Sequence, residues 1–147
     1  MNPDVKVTRD LMETLRDGEQ GFDSAAGMLA DGAHSDLTSE FRRYSQQRGT
    51  FYKELESMAA EYGDDLDESG TTGGKLHRAW MSMKDSLTGD DPGAVLKAAE
   101  RGEDHAVSEY EAALEEEISS ELRTLVQRQL GEIRVVHDRV KTLRDSY

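Results

Sequence analysis

The chain has 147 residues, no cysteine, and 31 acidic against 18 basic side chains, for a formal charge of −13. That length can bury a core in one domain, 1–147, without staples, and the lack of cysteine excludes a disulfide framework, a thiol nucleophile and a thiolate metal site. No basic cluster is longer than Arg42-Arg43, which argues against nucleic acid because its recognition needs a positive surface.

Asn2-Pro3 reads as the start of a first long helix over 3–31, with Asn as cap and Pro in the first turn, and Asp31-Gly32 as its stop. Leu11, Leu15, Gly18, Phe22, Ala25 and Leu29 recur at spacings of four and three, the signature of one buried helical stripe. A second helix over 36–62 repeats the rhythm with Leu37, Phe41, Tyr44, Arg48, Phe51, Leu55, Met58 and Tyr62. The turn between them is short, so the two should pack antiparallel.

The segment from Gly63 to Gly74 has loop composition. Leu76, Trp80, Met83 and Leu87 then mark a short helix over about 74–87. Asp91-Pro92 starts a third long helix, 92–117, with the stripe Leu96, Ala99, Glu103, Ala106, Tyr110, Ala113. Ser119 or Ser120 recaps the chain for a fourth, 120–145, with Leu122, Val126, Gln129, Ile133, Val136, Val140 and Leu143. The expected fold is all-α, a four-helix bundle with an additional short helix in its second connection. Each long helix spans roughly 37 Å at its rise per residue, and the 63–91 connection is long enough to recross that length. Both a crossover and a plain up-and-down bundle are open.

The longest uncharged apolar run, 25–30, is too short for a bilayer, and Met1-Asn2-Pro3-Asp4 lacks the pattern of a secretion signal. The expected setting is cytoplasmic, with no membrane partner.

Polar residues in apolar stripes carry the most information. Arg48, Glu103 and Gln129 interrupt three stripes, and Gly18 takes the matching place in the first. Counted from the turns, all four fall near mid-bundle. Gly18, Gly21, Gly49, Gly102 and Gly131 also fall near helix midpoints, which suggests close backbones or room for a large neighbour such as Arg48. A buried guanidinium must be paired, and Glu103, Gln129 and Asp17 are the acceptors within reach. The simplest role is a buried polar layer of Asp17, Arg48, Glu103 and Gln129 that fixes helix register.

The blocks Asp17-Gly18-Glu19-Gln20-Gly21-Phe22, Leu76-His77-Arg78-Ala79-Trp80, Glu100-Arg101-Gly102-Glu103-Asp104, His137-Asp138-Arg139-Val140 and Leu143-Arg144-Asp145 together resemble a bacterial four-helix-bundle family of unknown function within the ferritin-like group. The resemblance covers nearly the whole chain and implies a ferritin-like bundle. It also raises the question of a metal centre. A di-iron bundle needs an inward Glu from each of two helices and a Glu-x-x-His from each of the others. No Glu-x-x-His occurs here, Arg48 stands where a second bridging carboxylate belongs, and the fourth helix offers Gln129-x-x-Glu132. The expected function is therefore a non-catalytic, stress-associated helical module without a cofactor, whose Arg/Glu/Gln layer replaces a di-iron centre.

Two alternatives stand beside it. One is a metal-binding or redox protein holding iron or manganese on Asp17, Glu103 and Glu132. The other is a docking or self-assembling module, homo-oligomeric or bound to a protein partner, using Met12, Met28, Tyr52 and Met81 outside the main seams. His77, Trp80 and His137 are further candidates for ligand or acid-base roles, with packing beside the bundle as the plainer reading.

Overall fold

A computed structural model of the chain describes residues 3–30, 34–60 and 91–146. Four helices make up these residues: α1 (Pro3–Ala30), α2 (Ser35–Ala60), α3 (Pro92–Leu114) and α4 (Ser120–Asp145). The short helix expected over 74–87 lies outside the described residues, as do Tyr62, His77, Trp80 and Met81.

The stripe residues of α1, α3 and α4 are all buried, whereas Tyr44 and Met58 of α2 are half-buried at its edge. The core has two ends. One cluster joins Leu11 and Leu15 of α1, Phe51 and Leu55 of α2, Ala106 and Tyr110 of α3, and Leu122 and Val126 of α4. The other joins Phe22 and Leu29, Leu37 and Phe41, Leu96 and Ala99, and Val136 and Val140.

Those groupings fix the direction of every helix. α1 and α4 run one way; α2 and α3 run the other. The end of α2 and the start of α3 therefore lie at opposite ends of the bundle, where an up-and-down path would place them at the same end. Of the two open topologies, the helix directions match the crossover and not the up-and-down bundle.

α1 packs most extensively on α2, α3 on α4, and α1 also on α3, while the α2–α4 face is thin. Being flanked twice, α1 buries Val5, Val7, Met12 and Ala26 in addition to its stripe. That explains Met12: it belongs to the core rather than to an outer face. α2 and α3 lie across the diagonal of the bundle, so a contact between them passes through its centre.

Local chemistry explains the helix ends. Asp91 caps α3 by accepting from the Ala94 amide at 3.1 Å, and Pro92 follows in the first turn. Ser119 caps α4 through the Leu122 amide at 3.3 Å. α3 stops at Leu114, short of the expected 117, and the chain then tightens, with the Glu115 amide donating to Ala112 O and that of Glu116 to Ala113 O. The freed carbonyls find a donor in Arg123 of α4, which reaches Leu114 O at 2.8 Å and Glu116 O at 2.9 Å. Asp4 accepts from the Ser119 amide at 2.8 Å and so ties the start of α1 to the start of α4.

Candidate functional site

At the waist of the bundle Arg48 of α2 reaches across the diagonal to Glu103 of α3. The pairing is a two-pronged fork, Nη1 to Oε1 at 2.6 Å and Nη2 to Oε2 at 2.7 Å. Both residues are 1% exposed, so neither charge is shared with solvent. Arg48 Nε donates to Gln47 Oε1 at 3.1 Å, and the guanidinium carbon lies 5.2 Å from the centre of the Phe22 ring. A charge removed from water is tolerable when its hydrogen bonds are made and its counter-charge is adjacent.

A turn further along the bundle lies a second buried polar group. Tyr110 of α3 donates its hydroxyl to Gln129 Oε1 at 2.7 Å. The amide nitrogen of Gln129 donates to Phe51 O at 3.3 Å and to Glu54 Oε1 at 3.1 Å, both on α2. Burial pushes the Tyr110 hydroxyl far above the ordinary tyrosine range, with Arg48 pulling the other way, so it remains a donor. Glu54 in turn pairs with Arg128, which also holds Glu132 at 2.9 Å on the outer face of α4. Three helices thus meet at Gln129, and its polar chain runs from core to surface.

Glycine 18 lies beside the fork. A Cβ there would stand 3.5 Å from Arg48 Nη1 and 3.6 Å from Cγ, an ordinary contact, so the position leaves room for the arginine but not for a larger side chain. Gly131 differs from the sequence reading: a Cβ there meets nothing within 4 Å, so neither close approach nor a large neighbour explains it. At Gly49 the neighbour is the Glu19 carboxylate of α1, close enough that a side chain would displace it.

The residues named from sequence divide into three groups. Arg48 and Glu103 form the central pair, and Gln129 lies nearby with its own partners. Asp17 is buried on α1, and its charge raises the pKa of Glu13, which is shifted first by burial and then by Asp17, Asp10 and Glu109. Glu132 faces outward with Arg128. Asp17, Glu103 and Glu132 therefore do not converge as a ligand set: Glu103 gives both oxygens to Arg48, and Glu132 is on the wrong face. Among the described residues no group of three or more His, Asp or Glu side chains is placed to hold a metal. His137 sits at the α3–α4 edge, its Nε2 2.5 Å from Asp104 and its Nδ1 3.1 Å from Asp138.

Residues that sequence reasoning passed over complete the picture. Tyr110 reads as one more stripe position, Arg139 enters only as part of a resemblance block, and the stripes single out none of Glu54, Arg128 and Glu40. Arg139 of α4 grips Glu40 of α2 at 2.8 and 3.2 Å, and the Tyr44 hydroxyl donates to the same carboxylate. The spacing signal existed, since Glu40 lies one turn from the stripe residue Tyr44.

Of the residues named for docking, Met12 lies in the core and Met81 lies outside the described residues. Met28 packs against the core, and Tyr52 carries the Arg16 guanidinium over its ring at 4.8 Å and accepts from it at 2.7 Å. Among the described residues Val135 is the exposed large hydrophobic side chain. None of the described helices is long and apolar enough to cross a membrane.

The fold and its centre define an all-helical bundle of four long helices organised around a buried ion pair. The chain belongs to the family described as Domain of unknown function (DUF2383), whose profile matches residues 5–116. The match ends at the close of α3, so the His137 and Leu143 blocks of the sequence resemblance lie beyond it, although α4 supplies a full quarter of the bundle. No curated protein matches the chain.

Proposed function

We propose that this chain is a non-catalytic helical bundle of the ferritin-like kind, in which an arginine–carboxylate pair occupies the central space that metal-binding members of that group use for two ions. The observation that carries the reading is the forked Arg48–Glu103 contact at 2.6 and 2.7 Å, at 1% exposure, on the bundle diagonal. A guanidinium there fills the volume and opposes divalent cations by direct repulsion. It also occupies both oxygens of Glu103, the glutamate at that level of the core. The opposed ends of α2 and α3 support the ferritin-like reading, because that group joins its middle helices by a crossover.

The residues present do not suit a dinuclear metal centre, so no step of chemistry is assigned to one. The bundle acts through its shape and stability, as a helical module. Elemental analysis of native protein purified without chelators, followed by titration with ferrous and manganous ions, tests this. Less than about one-tenth of an equivalent of bound metal is expected, and a stoichiometric iron or manganese content would overturn the reading.

A further inference from the structure

Away from the centre, the α3–α4 seam carries three cross-helix ion pairs. Glu111 pairs with Arg134 at 2.7 Å, Asp104 with His137 at 2.5 Å, and Glu100 with Arg144 at 3.2 Å. Arginine keeps its charge at every physiological pH, so the outer two rungs are permanent. The middle rung uses the side chain whose charge changes between about pH 5 and 8.

The geometry around His137 favours one protonation state. Asp104 lies on Nε2 and Asp138 on Nδ1 at 3.1 Å, so both ring nitrogens face carboxylate oxygens. A neutral imidazole has a single N–H and would turn its lone pair toward one of those oxygens. The imidazolium donates to both. The ring side chain is 22% exposed, while Asp104 and Asp138 are 58% and 81% exposed, so the two contacts sit at the water boundary.

We propose that His137 is a pH-sensitive latch holding the C-terminal half of α4 against α3: protonated, it bridges Asp104 and Asp138, and on losing its proton it can donate to only one of them, which leaves the other carboxylate facing a lone pair and weakens the middle rung. The charges acting on the ring are Asp104 from α3 and Asp138 from α4. Arg134 and Lys141 stand one turn to either side on α4, while Glu100 and Glu111 of α3 are engaged by Arg144 and Arg134. From α2, Glu40 is held by Arg139 and Glu54 by Arg128, on the other face of α4.

Burial of the ring opposes its charge, but hydrogen bonding and attraction from the two aspartates outweigh burial and raise the pKa above the ordinary histidine value. A group whose pKa is raised on folding contributes fully below its unfolded pKa, and that contribution fades as pH climbs through the folded value. The latch is closed in mild acid and loosens as pH climbs through the raised folded value. It acts on the helix that lies beyond the family match.

Hydrogen exchange of the α4 amides over 134–145, compared at equal pH between the intact wild-type chain and His137→Gln, isolates the latch, because the intrinsic pH dependence of exchange cancels. The variant should exchange roughly two- to fivefold faster at pH 6, the range expected of a partly exposed ion pair, and at the wild-type rate by pH 9. A ratio that stays constant with pH would overturn the proposal. An independent check is the ring titration of His137 by NMR, which should have a midpoint above 6.5 that drops in Asp104→Asn. A midpoint at or below 6.5 in the wild type would equally overturn it.

Discussion

Arg48 shows how a single residue can be read from sequence and where that reading stops. A buried cation in an apolar stripe must find acceptors, and periodicity narrows them to Glu103, Gln129 and Asp17; the packing selects Glu103. The partners of Gln129 were not legible. A stripe reports depth but not which neighbours meet across the core, so Tyr110 passed as apolar material although its hydroxyl is what Gln129 accepts. Gly18 sharpens the point. Gly18→Ala should be tolerated or raise stability by up to about 1 kcal/mol, the helix-propensity gain, because its Cβ meets Arg48 at ordinary contact distance. Gly18→Leu should lower the melting temperature sharply by driving Arg48 off Glu103, and thermal melts of both variants check the contrast. Gly131→Ala, open on all sides, should stabilise by a similar ~1 kcal/mol.

Between elements, polar side chains do work that periodicity does not reveal. Arg123 receives the last carbonyls of α3 from a position on the next helix, a contact that depends on the α3–α4 turn and has no sequence spacing of its own. That is why α3 read three residues too long. Arg123→Ala should cost on the order of 1 kcal/mol in chemical denaturation, the scale of a lost cap. The thin α2–α4 face depends on Arg139–Glu40 and on Gln129 and Arg128 with Glu54. Burial alone would raise the Glu40 carboxyl, but hydrogen bonds from Arg139 and Tyr44 overcome it and leave the pKa below the ordinary value. A carboxylate lowered on folding stabilises above its unfolded pKa and loses that contribution as pH falls through the folded one. The stability difference between wild type and Glu40→Gln should therefore be present at pH 7 and decline as pH falls below the ordinary carboxylate range. A difference independent of pH would assign Glu40 a packing role alone.

For the whole molecule, four stripes of matching length announced a bundle and the short first turn an antiparallel first pair, yet the stripes could not say which way the later pair runs. Direction follows from which halves of the stripes share a core end, and that information exists only once Leu96 is seen beside Leu29, and Tyr110 beside Leu11. The packing sets α2 and α3 parallel on the diagonal of the bundle. That diagonal is what lets one arginine and one glutamate fill the centre. A paired charge in a core contributes little net stability over an apolar pair of equal volume, but either half alone is severely unfavourable.

A double-mutant cycle at this pair, read by denaturant unfolding, tests the arrangement most directly. Arg48→Met and Glu103→Leu should each destabilise by about 3 kcal/mol, and together return to within about 1 kcal/mol of the wild type, because the double variant buries no orphaned charge. Neutral single variants, or losses that simply add, would contradict a buried Arg48–Glu103 pair at the centre of the bundle.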